Sequence, residues 1–246
     1  MDLLKRLTDV TLVAVSTQEV DAAVAALDYS RRGLEFGEIL LVSHQHPLGN
    51  DAFYRFVPIN PFSSVGDWGK YVVFDLHKQI KTQFVLLIHE DGFVVNPDGW
   101  NDQWRDYDYI GAPFPIPRDT FSYRDALGNI IRVGNSVSLR SKKLLELPSE
   151  IGLTWDNFDE GFPHEDGFLC VQHRQTLAEH GIRYAPLNVA VHFGRETHLP
   201  EHAGIEPFSF HKWAGPNRSY PCFNPKAVRQ KNWRRVKRKI RGILKI

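Results

Sequence analysis

The sequence predicts an α/β fold in which helices flank a central, mostly parallel β-sheet. Residues 10–15, Val-Thr-Leu-Val-Ala-Val, form a short apolar run rich in β-branched side chains, which is typical of a buried strand. Apolar side chains recur at helical spacing over 21–32, and Gly33 stands where a helix stop is expected. Residues 38–43 form a second apolar run. Strand, helix and strand in this order predict a βαβ unit, whose two strands are parallel.

The rest of the chain extends this pattern. Residues 84–88, Phe-Val-Leu-Leu-Ile, are apolar on both faces and predict a central strand. The further predicted elements are helices at 68–80, 142–147 and 165–180, a strand at 133–140, and an ordered loop with short helical pieces at 100–125. We therefore expect one large domain.

Composition limits the class of protein. The chain has 246 residues, of which 42% are hydrophobic and 24% charged, so it is long enough to bury a core without a disulfide or a structural metal. The two cysteines, Cys170 and Cys222, have no paired ligand spacing, which favours a reducing compartment. No signal peptide is visible, and no apolar stretch approaches the ~20 residues of a membrane helix. We expect a soluble, cytoplasmic protein.

Charge divides the chain into two unlike parts. The formal net charge is +1, but the segment 226–246 contains ten lysines and arginines and no acid, which leaves 20 basic and 29 acidic residues in the rest. Residues 216–225 are rich in Pro and Asn. We predict a domain at 1–215, a linker at 216–225 and a basic tail at 226–246.

The basic tail also has an apolar stripe at helical spacing. Its members are Trp233, Val236, Ile240, Ile243 and Leu244. A basic amphipathic helix suits an anionic membrane, so we expect a peripheral position on the inner face of the cytoplasmic membrane and no nucleic-acid partner. A charged, frayed terminus is the alternative. We expect anionic liposomes to co-sediment the full chain but not a chain ending at Pro225, and equal binding of the two would contradict this expectation.

Acidic residues follow the predicted strand at 84–88. The strand runs into His89, Glu90 and Asp91, and ligands of open α/β sheets bind beyond the carboxyl ends of the strands. Carboxylates hold Mg²⁺ together with phosphate oxygens, which is what a leaving diphosphate requires. A solvated acidic turn explains the same residues, and the short motif does not choose between these interpretations.

Three further groups have both a structural and a functional interpretation. Glu165 and Asp166 begin a predicted helix, where the helix dipole favours carboxylates and where a carboxylate is also able to act as a general base. His211, which lies among aromatic residues, is either a packed histidine or a metal ligand. Gly134 and Asn135 offer small residues and backbone amides to a ligand at close range.

Signatures of several other chemistries are missing. The sequence contains no P-loop, no Gly-x-Gly-x-x-Gly turn, no Gly-x-Ser-x-Gly elbow and no Cys-x-x-Cys pair. These absences reduce the number of candidate enzyme classes but do not select one function.

Motifs spread between residues 10 and 213 indicate one family. They are residues 26–30, 36–37, 39–43, 84–93, 96–97, 100, 107–113, 133–135, 138–141 and 165–166. The block 107–113, Tyr-Asp-Tyr-Ile-Gly-Ala-Pro, is quite specific. Together they resemble a family of bacterial glycosyltransferases grouped as a domain of unknown function, which are similar to nucleotide-sugar enzymes of the GT-A, Rossmann-like fold.

The resemblance implies residue roles. Asp91 matches the last acid of the GT-A metal motif, whose first position is His89 here, and His211 resembles the late histidine that completes the metal site. Asp166 resembles the catalytic base of inverting enzymes, with Glu165 beside it. The residues expected to border the donor are Ser16, Thr17, His89, Glu90, Gly134 and Asn135.

The function implied is that of a metal-dependent glycosyltransferase. It is expected to use Mn²⁺ or Mg²⁺ and to move a sugar, with inversion, from a nucleotide-sugar donor to a glycan or lipid-linked glycan acceptor in bacterial surface polysaccharide or glycolipid synthesis. Two alternatives use the residues differently. A metal-dependent phosphoester or glycoside hydrolase would need no acceptor, and a non-catalytic carbohydrate-binding module would stack sugars on Trp100, Trp104 and Tyr107.

Overall fold

The computed structural model describes residues 4–47, 53–155 and 164–224, and its centre is a six-stranded β-sheet. The strands of this sheet are β1 (Lys5–Val15), β2 (Leu34–Ser43), β3 (Arg55–Pro58), β4 (Phe84–Ile88), β5 (Tyr109–Pro113) and β6 (Val133–Ser141). Their order is β3-β2-β1-β4-β6-β5. Strands β1 to β4 pair in parallel, whereas β6 is antiparallel to both β4 and β5. The predicted α/β class with a mostly parallel sheet is confirmed.

Helices pack on the faces of this sheet. They are α1 (Val20–Ser30), α2 (Val65–Phe74), α3 (Lys142–Glu150), α4 (Glu165–Gly167), α5 (Arg174–Glu179) and α6 (Leu187–Phe193). Short 3₁₀ turns lie at Leu76–Gln79, Pro97–Gly99, Asp102–Asp106, Pro200–His202 and Gly215–Ser219. After α6, the short strands β7 (Gly194–Arg195) and β8 (Ser209–Phe210) pair in parallel and form a second, small sheet.

Alternating side chains of the central strands divide between two cores. On β4, Leu86 and Ile88 pack with α1 on one face, while Val85 and Leu87 pack with α2 and α3 on the other. This alternation follows from the two-residue period of a strand. Because helices cover both faces, β4 is apolar throughout, as the sequence predicts for a central strand.

Two predicted helices need correction. The helix predicted at 68–80 is α2 followed by a separate 3₁₀ turn at Leu76–Gln79, because Asp75 leaves the helical conformation with φ −123° and ψ −29°. The helix predicted at 165–180 is not continuous. A π-helical segment, Phe168–Gln172, lies between α4 and α5. In this segment the backbone N–H donates to the carbonyl oxygen five residues earlier, whereas in an α-helix the spacing is four.

Strand β5 lies inside the segment 100–125, which the sequence predicts as loop. Gly111 and Pro113 have the composition of a turn, so the strand has no clear sequence signal. The structure explains the glycine, since a Cβ at Gly111 would lie 1.8 Å from the Gly134 carbonyl oxygen on β6. Close contact between β5 and β6 therefore requires a residue without a side chain.

Residues 216–224 of the predicted linker pack against the domain. Asn217 is buried, and its side-chain amide donates to the carbonyl oxygen of Arg195 at 3.0 Å. Tyr220 and Phe223 pack against the larger core. The basic tail at 226–246 lies outside the described residues, so its membrane contact stays a prediction. Within the part of the chain that is described, no helix is long and apolar enough to span a bilayer.

Candidate active site

A cleft of about 1050 Å³ lies at the carboxyl ends of β1 and β4. The strand order reverses between these two neighbours, because β2 and β3 lie beyond β1 and β6 and β5 lie beyond β4. Open α/β sheets bind ligands at such a switch point. The polar and aromatic side chains on its wall include Ser16, Thr17, Trp68, His89, Glu90, Tyr123, Glu165, Asp166, Glu196, His211 and Lys212.

A tight turn after β4 carries the first acidic group. The backbone N–H of His89 donates to the Gly92 oxygen at 2.7 Å, and the Gly92 N–H donates back at 3.2 Å. A Cβ at Gly92 would lie 2.8 Å from Cδ2 of His211 and 2.7 Å from Cγ2 of Val137. Glycine at this position therefore lets the His211 ring approach the turn.

Asp91 and His211 meet beside the cleft. Oδ1 of Asp91 lies 3.5 Å from Nε2 of His211, although 120 positions separate the two residues in the sequence. Backbone bonds fix this approach: the N–H of Lys212 donates to the Asp91 oxygen at 2.9 Å, and the N–H of His211 donates to the Arg195 oxygen at 3.1 Å. The convergence predicted for this acid and this imidazole is present.

Two neighbours fix the orientation of the His211 ring. Its Nδ1–H donates to Oδ1 of Asn135 at 2.9 Å, and Oε2 of Glu196 lies 3.4 Å from the same nitrogen. Burial disfavours a charged ring, but the carboxylates of Asp91 and Glu196 outweigh it and raise the pKa of His211 to about 10. The ring nitrogen Nε2 is thus directed towards Asp91.

His89 is a different kind of histidine. Its ring stacks on that of His211 with ring centroids 5.1 Å apart. The Trp68 ring contacts it in a tilted arrangement, with centroids 5.2 Å apart. Burial, assisted by the positive charge of His211, lowers the pKa of His89 to about 4, so the ring is neutral at pH 7. Its buried Nε2 has no hydrogen-bond partner among the described residues.

The acids at the start of α4 have separate environments. Glu165 is 1% exposed and its Oε1 accepts a 2.8 Å bond from Nη2 of Arg140, which is fully buried. Asp166 lines the cleft, and among the described residues no cationic side chain forms a hydrogen bond with it. Burial and then the Glu165 carboxylate raise the pKa of Asp166 to about 7. A 2.8 Å hydrogen bond from the Gly167 N–H acts in the opposite direction and lowers this pKa, but it does not offset them.

Comparison with known proteins identifies the family of this chain. Residues 56–211 match the model of a family described as "Protein of unknown function (DUF5672)". The chain belongs to the DUF5672 family. The matched segment contains Asp91, Asn135, Asp166, Glu196 and His211. No curated protein matches the sequence.

The DUF5672 chain is also similar to two solved structures at low identity. One is a glycosyltransferase involved in the glycosylation of the major capsid of PBCV-1, with 12% identity, a TM-score of 0.48, and coverage of 85% of this chain and 95% of that one. The other is the bifunctional IspDF from Campylobacter jejuni, with 11% identity, a TM-score of 0.43 and coverage of 72% of this chain. The match spans about half of IspDF, 48% of its length.

The predicted donor residues of the DUF5672 protein are not all on the cleft wall. Ser16, Thr17, His89 and Glu90 line it. Asn135 is buried behind the residues that line the cleft, where its side-chain oxygen accepts a hydrogen bond from the His211 ring. Gly134 does not line the cleft, because it packs under the Phe114 ring: a Cβ on it would lie 2.1 Å from Cε2.

The aromatic residues of the carbohydrate-binding alternative do not form a stacking surface. Trp100 is 5% exposed and Trp104 2% exposed, and both belong to the larger core. Their rings pack on each other with centroids 5.3 Å apart. Tyr107 packs against the same core. These three residues therefore do not supply the stacking surface that this alternative requires, and sequence alone does not distinguish a core tryptophan from a surface one.

The sequence did not single out Glu196, Lys212 or Arg140. Glu196 contacts both His211 and Lys212, and these cations hold its pKa below the ordinary value although burial acts in the other direction. A glutamate that follows an arginine in the sequence forms no motif that would mark it as a site residue. Its approach to His211 depends on the pairing of β7 with β8, which aligns Arg195 with Phe210.

Asp91 and His211 are the residues best suited to share a divalent cation. Oxygen and imidazole nitrogen are both ligands of Mn²⁺, and neighbouring ligand atoms around an ion with ~2.1 Å bonds lie about 3 Å apart, near the 3.5 Å found here. Because Nδ1–H is bonded to Asn135, Nε2 is the nitrogen that would face the ion, and the ion would have to displace the proton that Nε2 carries at neutral pH. Within the described residues, no three His, Cys, Asp or Glu side chains group closely enough to bind a metal. Phosphate oxygens and water would have to complete the coordination.

Proposed function

We propose that this DUF5672 protein is a metal-dependent glycosyltransferase that moves a sugar from a nucleotide-sugar donor to an acceptor hydroxyl with inversion. The observation that carries the proposal is the convergence of Asp91 and His211 at 3.5 Å, beside a cleft that Asp166 also lines. The cleft lies at the switch point between β1 and β4, where its size suits a nucleotide-sized ligand.

The cation would be held by Asp91 and His211. When bound, it supplies positive charge that offsets the charge developing on a leaving diphosphate. The histidine ligand favours Mn²⁺ over Mg²⁺, since imidazole suits transition metals better than Mg²⁺. Asn135 and Glu196 orient the imidazole, which is the usual task of groups behind a metal ligand.

Asp166 is proposed as the general base. Its carboxylate takes the proton of the acceptor hydroxyl while the acceptor oxygen forms a bond to the anomeric carbon. The bond from that carbon to the diphosphate oxygen breaks, and the nucleoside diphosphate leaves with the electron pair. A pKa of about 7 suits a base that works near neutral pH. Glu165, paired with Arg140, holds the start of α4 in place.

Thermal shift with nucleotides tests the donor site. We expect at least one of UDP, GDP, dTDP and CMP to raise the melting temperature in the presence of Mn²⁺ and to raise it less without metal, because the phosphates bind through the ion. Asp91→Ala should remove the metal-dependent part of the shift. Asp98→Ala is the matched control, since Asp98 is exposed and does not line the cleft.

Three results would contradict the proposal. If no nucleotide raises the melting temperature with Mn²⁺ or with Mg²⁺, the cleft is not a nucleotide site. If nucleotide sugars are consumed at the same rate whether or not a hydroxyl acceptor is present, and this holds for each acceptor tested, the protein is a hydrolase. Retention of the anomeric configuration in the product would contradict the single displacement.

A further inference from the structure

The loop between β5 and β6 has an unusual surface. Seven large hydrophobic side chains are exposed among the described residues. Five of them are on this loop: Ile116, Phe121, Tyr123, Leu127 and Ile130. Soluble surfaces carry scattered apolar groups, but a concentration of them on one segment indicates a contact surface. Part of this segment, residues 121–126, lines the cleft.

Tyr123 is held in a defined position on this loop. Its ring stacks on Phe114 with centroids 4.5 Å apart and an interplanar angle of 28°. Its carbonyl accepts the Ile131 N–H at 2.7 Å, and Asp125 closes the adjoining turn through the Asn129 N–H at 2.8 Å. Tyr123 also has φ +52°, a left-handed conformation that is rare for a tyrosine and tends to occur at functional sites.

Tyr123 faces the same space as Asp166. Both line the cleft, and Tyr123 remains 37% exposed although Phe114 covers one side of it. Burial, followed by the negative charge of Asp166, raises the pKa of the Tyr123 phenol. In sheet order β4 and β6 lie between β5, which this loop follows, and β1, whose carboxyl end carries Ser16 and Thr17.

We infer that the acceptor is a sugar whose ring stacks on Tyr123 and presents a hydroxyl to Asp166. The inference rests on the proposed function and specifies its acceptor. One face of a pyranose ring carries C–H groups with partial positive charge, and these match the negative face of an aromatic ring. A hydroxyl on a peptide or on a simple polyol has no such face to place against Tyr123. The aromatic loop thus supplies the contact, and the carboxylate supplies the base.

Methyl glycosides are the probes for this inference. Methyl glucoside, galactoside, mannoside and N-acetylglucosaminide are tested by saturation-transfer difference NMR on the full chain with Mg²⁺ and whichever nucleotide gives the largest thermal shift. Each is then offered as an acceptor with the corresponding nucleotide sugars. We expect at least one glycoside to bind and to be glycosylated, whereas glycerol and a Ser/Thr-containing hexapeptide are not.

Variants of Tyr123 separate stacking from general apolar contact. Tyr123→Phe keeps the ring and should change the acceptor KM by less than about twofold. Tyr123→Leu keeps apolar volume without a ring and should raise that KM about tenfold, with little change in the donor KM. Leu127→Ala is the control, because Leu127 is on the same loop but does not line the cleft. Melting temperatures establish that each variant is folded.

The outcomes distinguish this inference from the proposed function. If nucleotides bind with metal but no glycoside binds, or if Tyr123→Leu behaves like the wild type, the sugar-stacking inference is wrong and the donor site stands. If the peptide or glycerol is the better acceptor, the inference is also wrong. If no nucleotide binds, the proposed function itself fails.

Discussion

Replacing Asp166 with asparagine is expected to lower the rate of sugar transfer by about two to four orders of magnitude, the range that general bases contribute. Asparagine has nearly the same shape but cannot take a proton, so nucleotide binding should stay within about twofold of the wild type. The measurement is release of nucleoside diphosphate under acceptor-saturating conditions, together with the thermal shift by nucleotide and Mn²⁺. Wild-type turnover in this variant would exclude Asp166 as the base.

The same substitution is expected to make the protein more stable at alkaline pH. The folded protein holds the Asp166 proton up to about pH 7, whereas the unfolded chain releases it near pH 3.8. The carboxyl group therefore contributes stability below about pH 4, and this contribution is lost as the pH rises through 7. Asparagine cannot ionise, so Asp166→Asn should exceed the wild type in melting temperature by a larger margin at pH 8 than at pH 5.

Asp9 provides a control with the opposite sign. A hydrogen bond from Arg105 is the main cause that lowers the pKa of Asp9, so ionisation of this group stabilises the fold as the pH rises. This contribution is fully present above pH 3.8, the value of the unfolded chain, and is lost as the pH falls below it, so Asp9→Asn should lose about the same stability at pH 8 and pH 5 and less at about pH 3. A melting-temperature difference for Asp166→Asn that does not change between the two pH values would contradict the burial and charge argument.

Replacing Arg140 with methionine is expected to lower the free energy of unfolding by about 3–5 kcal/mol, because it leaves the Glu165 carboxylate buried without its cation. For a chain of this size the melting temperature should fall by about 6–20 °C. The matched control is Arg31→Met. Arg31 and Asp28 form an exposed pair with side-chain exposures of 46% and 56%, and such pairs contribute about 1 kcal/mol or less.

The double variant Arg140→Met with Glu165→Leu tests the cause of that loss. Removing both charges eliminates the uncompensated carboxylate, so much of the stability should return, as it does when buried pairs are replaced by apolar side chains. If Arg140→Met destabilises no more than Arg31→Met, the buried pair is not important for the fold. If the double variant is less stable than Arg140→Met, the loss comes from packing around Arg140 and not from the unpaired charge.

Local patterns predicted those parts of the fold that depend on neighbours in the sequence. The apolar run at 84–88 identified β4 with the bounds found in the structure, because a strand buried on both faces needs five consecutive apolar side chains. Strand β5 was missed for the opposite reason. Gly111 and Pro113 favour a turn locally, and only the contact with Gly134 on β6 explains why a glycine stands within a strand.

The sequence alone determined that acids follow a central strand, that a second acid pair begins a helix, and that residues 226–246 carry ten basic side chains without an acid. Only the tertiary structure decided which of these groups meet. Asp91 contacts His211 because the His89–Gly92 turn and the pairing of β7 with β8 bring two distant segments together. The same folding separates Asp166 from its neighbour Glu165, which Arg140 neutralises in the core. Charge and periodicity are local properties, whereas burial and partner choice depend on contacts between residues far apart in the chain.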